Sequence, residues 1–333
     1  MEIDFKHKQA AHCENGVVAN LMTYNGFTVS EPMVFGIGSG LLFSYIPFLK
    51  VNYAPVVSYR ALPGIIFSRF AKRVGIKIKR EKFRNAQAAK ARLDENLERK
   101  NPVGLQVGVY NLPYFPDEYR FHFNAHNMVV YGKKDGRYLI SDPVMETVTS
   151  LSEKELEKVR FAKGAFAPKG HIYYPIDFPE RLNLEKAIIK GIKHTCRDML
   201  APIPIVGVKG IRKIAKLIRK WPKTKGVKTA NHYLGQIVRM QEEIGTGGGG
   251  FRYIYAAFLQ EAGKILGNEK LLALSGEMTL IGDQWRDFAL DASRIYKNRS
   301  NTAAIDQYDA VALQLEALAD REEAFFKQLR KSI

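Results

Sequence analysis

Cys13 stands at the head of CENGVVANLMTYNG, residues 13–26, a stretch that reads as a helix. Val17, Val18, Leu21 and Met22 share one face, and Gly26 follows at the C-cap position. A cysteine attacks a carbonyl as its thiolate. The unpaired N–H groups and macrodipole of a helix N-terminus favour that negative charge. The thiol also needs a base. His12 is adjacent, but sequence neighbours on a helix point in different directions, so the imidazole has to come from elsewhere in the fold. Cys196 lies close to His194, with no C-x-x-C spacing or third ligand, and no metal site is expected there or elsewhere.

Two histidines lie in strand-like surroundings: His122 and His126, in FHFNAHNMVVYGKKDGRYLISDP, residues 121–143. An apolar strand, a glycine-bounded turn and a second strand lead to Asp142-Pro143, the pattern of a β-hairpin. A turn centred on Lys134 places His126 directly opposite Asp142, on one face. A two-residue Asp135-Gly136 turn, which the sequence equally permits, places them on opposite faces. A carboxylate that orients the imidazole requires the same face. The chain order of nucleophile, histidine and acid matches papain-like thiol enzymes. The rival reading makes Cys13 a buried small residue and His126 a satisfied core histidine, far apart in space.

The elements around these residues fall into two groups. Helical patterns at 14–25 and 85–99 alternate with strand patterns at VGIKIKR, GLQVGVY, HNMVVYG, RYLISDP and GHIYYP. MVFGIGSGLLFSYI, residues 33–46, reads as loop and strand rather than helix. From about Leu182 the strand signals stop and helices are expected at 184–199, 208–221, 229–244, 251–266, 268–297 and 301–331. The fold class is therefore α+β, with an α+β domain over 1–180 and an all-helical domain over 181–333.

Bulk composition sets limits on the partners. The chain has 333 residues, 46% hydrophobic and 26% charged, with a net charge of +17. That charge favours an acidic partner. It is concentrated: residues 69–100 carry twelve Lys or Arg against four acids, and 209–228 carry basic residues and no acid. No zinc-finger spacing, RNA-recognition motif or helix-turn-helix accompanies it, which argues against nucleic acid. No apolar run reaches membrane-spanning length and no apolar signal segment opens the chain, so a cytoplasmic protein is expected. Two distant cysteines make no disulfide framework.

AHCENGVVANLMTYNGFTVSEPMVFGIGSGLLFSY resembles the opening of the butirosin biosynthesis protein H N-terminal family. YNLPY at 110–114, H-x3-H at 122–126 and SDP at 141–143 continue the likeness. GTGGGGFRYIYAAFLQEAG, 245–263, is similar to the glycine-rich helix start of an uncharacterised helical domain often found after it. The resemblance implies a papain-like fold and an acyltransferase that moves an acyl group from an acyl carrier protein thioester onto an amine. It implies Cys13 as nucleophile, His126 as base and Asp142 as orienting acid. Bacteriocin-processing cysteine peptidases share the His-to-Asp-Pro spacing. They carry an oxyanion-hole glutamine six residues before the cysteine. Here that position is His7, with Gln9 four before, and both stand as oxyanion candidates.

The expected donor is an acyl-phosphopantetheine thioester, on a carrier protein or coenzyme A, with no bound cofactor. The acceptor is a small-molecule amine. A peptidase or amidase with the same triad, and a non-enzymatic protein with a degenerate thiol site, are the alternatives. GIGSG, 36–40, lacks the third glycine of a dinucleotide fingerprint. Its Gly36, Gly38 and Gly40 are candidates for a substrate wall, beside Tyr114 and His122. GTGGGGFR lacks the Lys-Ser/Thr of a phosphate loop and reads first as a tight interhelical turn, while Arg252 is a candidate for the pantetheine phosphate. GVKGIRKIAKLIRKWPK reads as a core-facing helix with a basic back, a peripheral membrane contact being the alternative. A homo-oligomer is compatible with all of this.

Overall fold

Six strands of the chain pair into one antiparallel sheet, and the cysteine-led helix packs on it. The structure, a computed structural model, describes residues 2–297 and 305–333. It divides into two units: Met1–Val34 with Pro63–Asn183, and Phe35–Leu62 with Leu184–Ile333. In chain order the elements begin with α1 (Cys13–Tyr24), α2 (Glu31–Ile37), β1 (Leu41–Val51) and β2 (Ala54–Arg60). Then come α3 (Ile65–Val74), β3 (Lys77–Glu81), α4 (Ala86–Glu98), β4 (Val103–Val107), β5 (His126–Lys134), β6 (Arg137–Ser141), β7 (Thr149–Ser152), α5 (Glu153–Arg160) and β8 (Ile172–Asp177).

In the first unit the sheet runs β3-β8-β4-β5-β6-β7. Alternation fixes its faces. Leu105, Met128, Val130, Ile140 and Ile172 bury one face with Leu93 of α4 and Leu156 of α5. Each such side chain contributes about 1.5–3 kcal/mol on burial. The other face carries α1, whose residues from Cys13 to Met22 are buried along its length. A Cys-led helix against an antiparallel sheet is the expected α+β, papain-like layout.

The second unit is helical apart from the β1–β2 hairpin. Its helices are α6 (Leu184–Met199), α7 (Gly207–Ile218), α8 (Trp221–Lys225), α9 (Val227–Glu242), α10 (Arg252–Leu266), α11 (Glu269–Tyr296) and α12 (Ile305–Lys331). Residues 301–304, expected to open the last helix, lie outside the described residues. The sequence boundary at 180 leaves residues 35–62 in the first domain, whereas by contact they sort with the second unit. The hairpin's apolar side chains explain this. Phe43 and Tyr59 pack on Trp285 of α11, with ring centroids 6.0 and 5.4 Å away.

Residues 33–46 depart from the expected loop and strand. Glu31–Ile37 is helical, and the strand starts only at Leu41. Ser30 is the cause: its hydroxyl accepts from Met33 N at 3.2 Å, an N-cap with Pro32 just inside the helix. Among the described residues no helix is long and apolar enough to cross a membrane.

Candidate active site

The turn between β5 and β6 is the two-residue Asp135-Gly136 turn, with both φ positive at 49° and 75° and Lys134 paired with Arg137. In a regular ladder this register separates His126 and Asp142 onto opposite faces. A β-bulge prevents that. Val130 pairs with Ile140, but Gly132 pairs with Leu139, so Tyr131 is an extra residue in β5. One extra residue reverses the parity of everything beyond it. His126, Met128 and Val130 then share a face with Ile140 and Asp142. Of the two turns the sequence permits, the Asp135-Gly136 turn forms, and the bulge brings His126 and Asp142 to the same side all the same.

His126 Nε2 lies 2.6 Å from Asp142 Oδ2, and both residues are buried. With Nε2 so engaged, Nδ1 is left for Cys13, with which the imidazole makes a side-chain hydrogen bond. A degenerate site would hold Cys13 and His126 apart, and they are in contact. Burial pushes the His126 imidazole down. The Asp142 carboxylate and the Cys13 thiolate outweigh burial and lift it to about 10. At neutral pH the imidazole is therefore held in its protonated form, facing the Cys13 sulfur.

Asp142 is fully buried and satisfied on all sides. Its Oδ2 also accepts from Tyr114 O–H at 2.8 Å, and its Oδ1 accepts from Val144 N at 3.2 Å. Burial, with the Asp142 charge beside it, holds the Tyr114 phenol well above its ordinary range, so it stays a donor. Tyr114 thus holds the acid, where the sequence made it a substrate contact.

The loop before α1 is fixed by a residue of the S-E-P motif. The Glu31 carboxylate accepts from Ala11 N at 3.0 Å and His12 N at 2.7 Å. His12 is the N-cap, extended at φ −123°. Glu14 accepts from Gly64 N at 3.0 Å and Phe67 N at 3.2 Å, at the start of α3. Gly16 lets α1 approach the acid's strand. A Cβ there would stand 2.6 Å from Pro143 Cβ and from Ala10 Cβ. Sequence reasoning passed over one further neighbour of the thiol: Asn127 Nδ2 lies 3.8 Å from Cys13 Sγ. Its signal was available, a second polar residue beside His126 at the head of the apolar run Met128–Tyr131. It borders a small hollow with Phe67, Gln106, His171 and Tyr173.

The remaining candidates do other things. His7 hydrogen-bonds at both ring nitrogens, Nδ1 to Ser141 Oγ at 2.8 Å and Nε2 to Met145 O at 3.1 Å, so it has no N–H to give an oxyanion. Gln9 is exposed. His122 is exposed and stacks on Tyr110, centroids 4.1 Å apart. Gly36, Gly38 and Gly40 lie buried in the second unit, where two of them allow close packing. A Cβ on Gly36 would fall 2.0 Å from the Phe258 ring, and one on Gly40 2.2 Å from Phe35.

Arg252 is fully buried, with Nε 2.9 Å from Glu322 Oε1 and Nη2 3.1 Å from Glu322 Oε2, its guanidinium 4.7 Å over the Trp285 ring. Its charge is neutralised inside the unit, which corrects the phosphate-binding expectation. The glycine loop before it is a turn whose Gly249 N–H is taken by the Glu242 carboxylate at 3.1 Å. α7 packs its apolar face on β1 and α12, and its Arg212 and Arg219 pair with Asp320 at 2.7 Å and Glu316 at 2.6 Å. Burial pushes the Cys196 thiol up to about 12, the opposite of an activated thiol.

Curated proteins give no match. A crystal structure from Bacillus anthracis, described as a C39-like peptidase, is similar at 13% identity over 54% of this chain and all of that one, with a TM-score of 0.39. The model described as "Butirosin biosynthesis protein H, N-terminal" matches residues 12–143, which run from the residue before Cys13 to the residue after Asp142. The model described as "Domain of unknown function (DUF4872)" matches residues 154–329. Cys13, His126 and Asp142 all lie in the segment similar to the butirosin biosynthesis protein H N-terminal model, and the chain belongs to the DUF4872 family.

Proposed function

We propose that the protein is a thiol acyltransferase that moves an acyl group from a phosphopantetheine thioester to an amine through an acyl-enzyme on Cys13. The observation that carries this reading is the line Cys13–His126–Asp142 inside the segment similar to the butirosin biosynthesis protein H N-terminal domain. The proposed donor is an acyl carrier protein, or coenzyme A with the same thioester chemistry. The net charge of +17 suits an acidic carrier.

A thiolate–imidazolium pair dictates the order of proton transfers. The Cys13 thiolate adds to the thioester carbonyl carbon, and the carbonyl π pair moves to oxygen. On collapse the C–S bond to pantetheine breaks, and the leaving sulfur takes the proton from His126. The imidazole is then neutral. It accepts a proton from the incoming amine as nitrogen attacks the acyl-enzyme, and Cys13 leaves as thiolate. Asp142 stays ionised throughout and orients the ring.

Intact-mass spectrometry after incubation with an acyl carrier protein thioester tests this. The expected result is one acyl adduct on the unmodified protein and none on Cys13→Ala. Rapid release of the adduct to water, with no gain from added amines, would make the enzyme a hydrolase. No adduct, together with a Cys13 inert to iodoacetamide at neutral pH, would overturn the reading.

A further inference from the structure

Taking Cys13 as the acyl carrier, we propose that Asn127 donates the side-chain hydrogen bond to the oxyanion and that Tyr173 positions it. The two residues expected from sequence do not fill this role: His7 is bound at both nitrogens and Gln9 is exposed. Asn127 is buried, and its Nδ2 stands 3.8 Å from Cys13 Sγ.

The orientation of this amide is determined by its partners. Nδ2 also donates to Ala125 O at 3.0 Å, and a carbonyl only accepts, so the NH2 group lies on that side. Oδ1 accepts from Tyr173 O–H at 2.8 Å. Burial, reinforced by the Glu14 and Cys13 charges, holds the Tyr173 phenol well above its ordinary range and keeps it a donor. One amide N–H serves Ala125, and the second faces the sulfur.

The second N–H is the useful one. When Sγ bonds to the carbonyl carbon, the π pair collects on an oxygen one bond from that carbon. The charge thereby leaves sulfur for an atom beside it. A donor that faced the thiolate at 3.8 Å, longer than an ordinary hydrogen bond, is better placed for the new oxyanion than for the resting sulfur. Collapse returns the pair to the carbonyl and expels the pantetheine sulfur, which takes its proton from His126. Asn127 gains and loses no proton in the step.

The test compares two reactions of the same thiol. Alkylation by iodoacetamide passes through no oxyanion, whereas acylation by a small pantetheine-like acyl thioester does. For Asn127→Ala the expected result is an acylation rate lower by about 10²–10³-fold, with alkylation changed by less than about threefold. Tyr173→Phe keeps the ring and removes only the hydroxyl. It should slow acylation by about tenfold and likewise spare alkylation. Parallel loss of both reactions in Tyr173→Phe, or no loss of acylation in Asn127→Ala, would overturn the proposal. Unmodified protein that is alkylated but never acylated would instead overturn the acyl-enzyme reading on which the proposal rests.

Discussion

His126 and Asp142 meet at 2.6 Å although the turn between their strands has the length that should separate them. The extra residue Tyr131 restores the shared face. The carboxylate is thereby buried against the imidazole, where its charge offsets the desolvation that would otherwise deprotonate the ring. Asp142→Asn keeps the shape and removes the charge. Acyl-enzyme formation should fall on the order of 10²-fold or more. The rate of iodoacetamide alkylation near neutral pH should fall too, because a ring with a lower pKa no longer holds the thiolate. Alkylation unchanged in Asp142→Asn would mean that the ion pair does not depend on Asp142.

The pH dependence has a defined sign. The imidazole's ordinary value is 6.5 and its folded value is about 10. Protonation of His126 therefore favours the folded state. That contribution is complete below the ordinary value and is lost as pH rises through about 10. Thermal melts should show Tm declining from neutral to alkaline pH, and the decline should be shallower in His126→Gln. Thioester turnover should have an upper limb near 10, where His126 no longer carries the leaving sulfur's proton. An upper limb near the ordinary value would show that the imidazolium is not held.

The sequence disclosed the site in part, and the residues explain which part. Cys13 was readable because helix periodicity and a C-cap glycine mark α1. Strands β3, β4, β5, β6 and β8 were readable from their local apolar patterns, whereas β2 and β7 were not. The relation of His126 to Asp142 was not, because a bulge such as that at Tyr131 has no dependable one-residue signature and still decides the parity of a whole strand. His7, Tyr114 and Arg252 were readable as polar residues near motifs, but their partners are 134, 28 and 70 positions away. Burial and long-range pairing, which sequence spacing does not encode, decide between a binding group and a structural one. The glycines at 36–40 illustrate the same limit, since a phosphate loop and a close ring contact both call for a missing Cβ.

Gly16 makes a prediction that links packing to chemistry. A Cβ there meets Pro143 Cβ at 2.6 Å, next to Asp142, and Gly16 and Pro143 are both buried. Ala10 N donates to Pro143 O at 2.6 Å, so the two segments cannot part cheaply. Gly16→Ala should cost about 1–3 kcal/mol of stability, read from denaturant melts. It should also lower the acylation rate in the protein that remains folded, because α1 is displaced from Pro143, the neighbour of Asp142, together with Cys13. A loss of stability with normal acylation would show that the unit absorbs the methyl elsewhere.

Arg252 offers the cleanest separation of a structural charge from a substrate contact. Its guanidinium and the Glu322 carboxylate are both fully buried, and Glu322 Oε1 also accepts from Trp285 Nε1 at 2.6 Å. Removing one partner leaves the other charged and unpaired in a dry interior. Arg252→Met should therefore destabilise the protein by about 3–5 kcal/mol. Arg252→Met combined with Glu322→Leu removes both charges and should recover a large share of that loss, short of full recovery because the Trp285 indole N–H then lacks its acceptor. Tm and denaturant midpoints measure both effects. A phosphate-binding Arg252 predicts a different result: little change in Tm, a raised KM for the thioester, and no rescue by the second substitution. The coupling between the two variants decides the matter, since only a buried ion pair makes the double variant more stable than the single one.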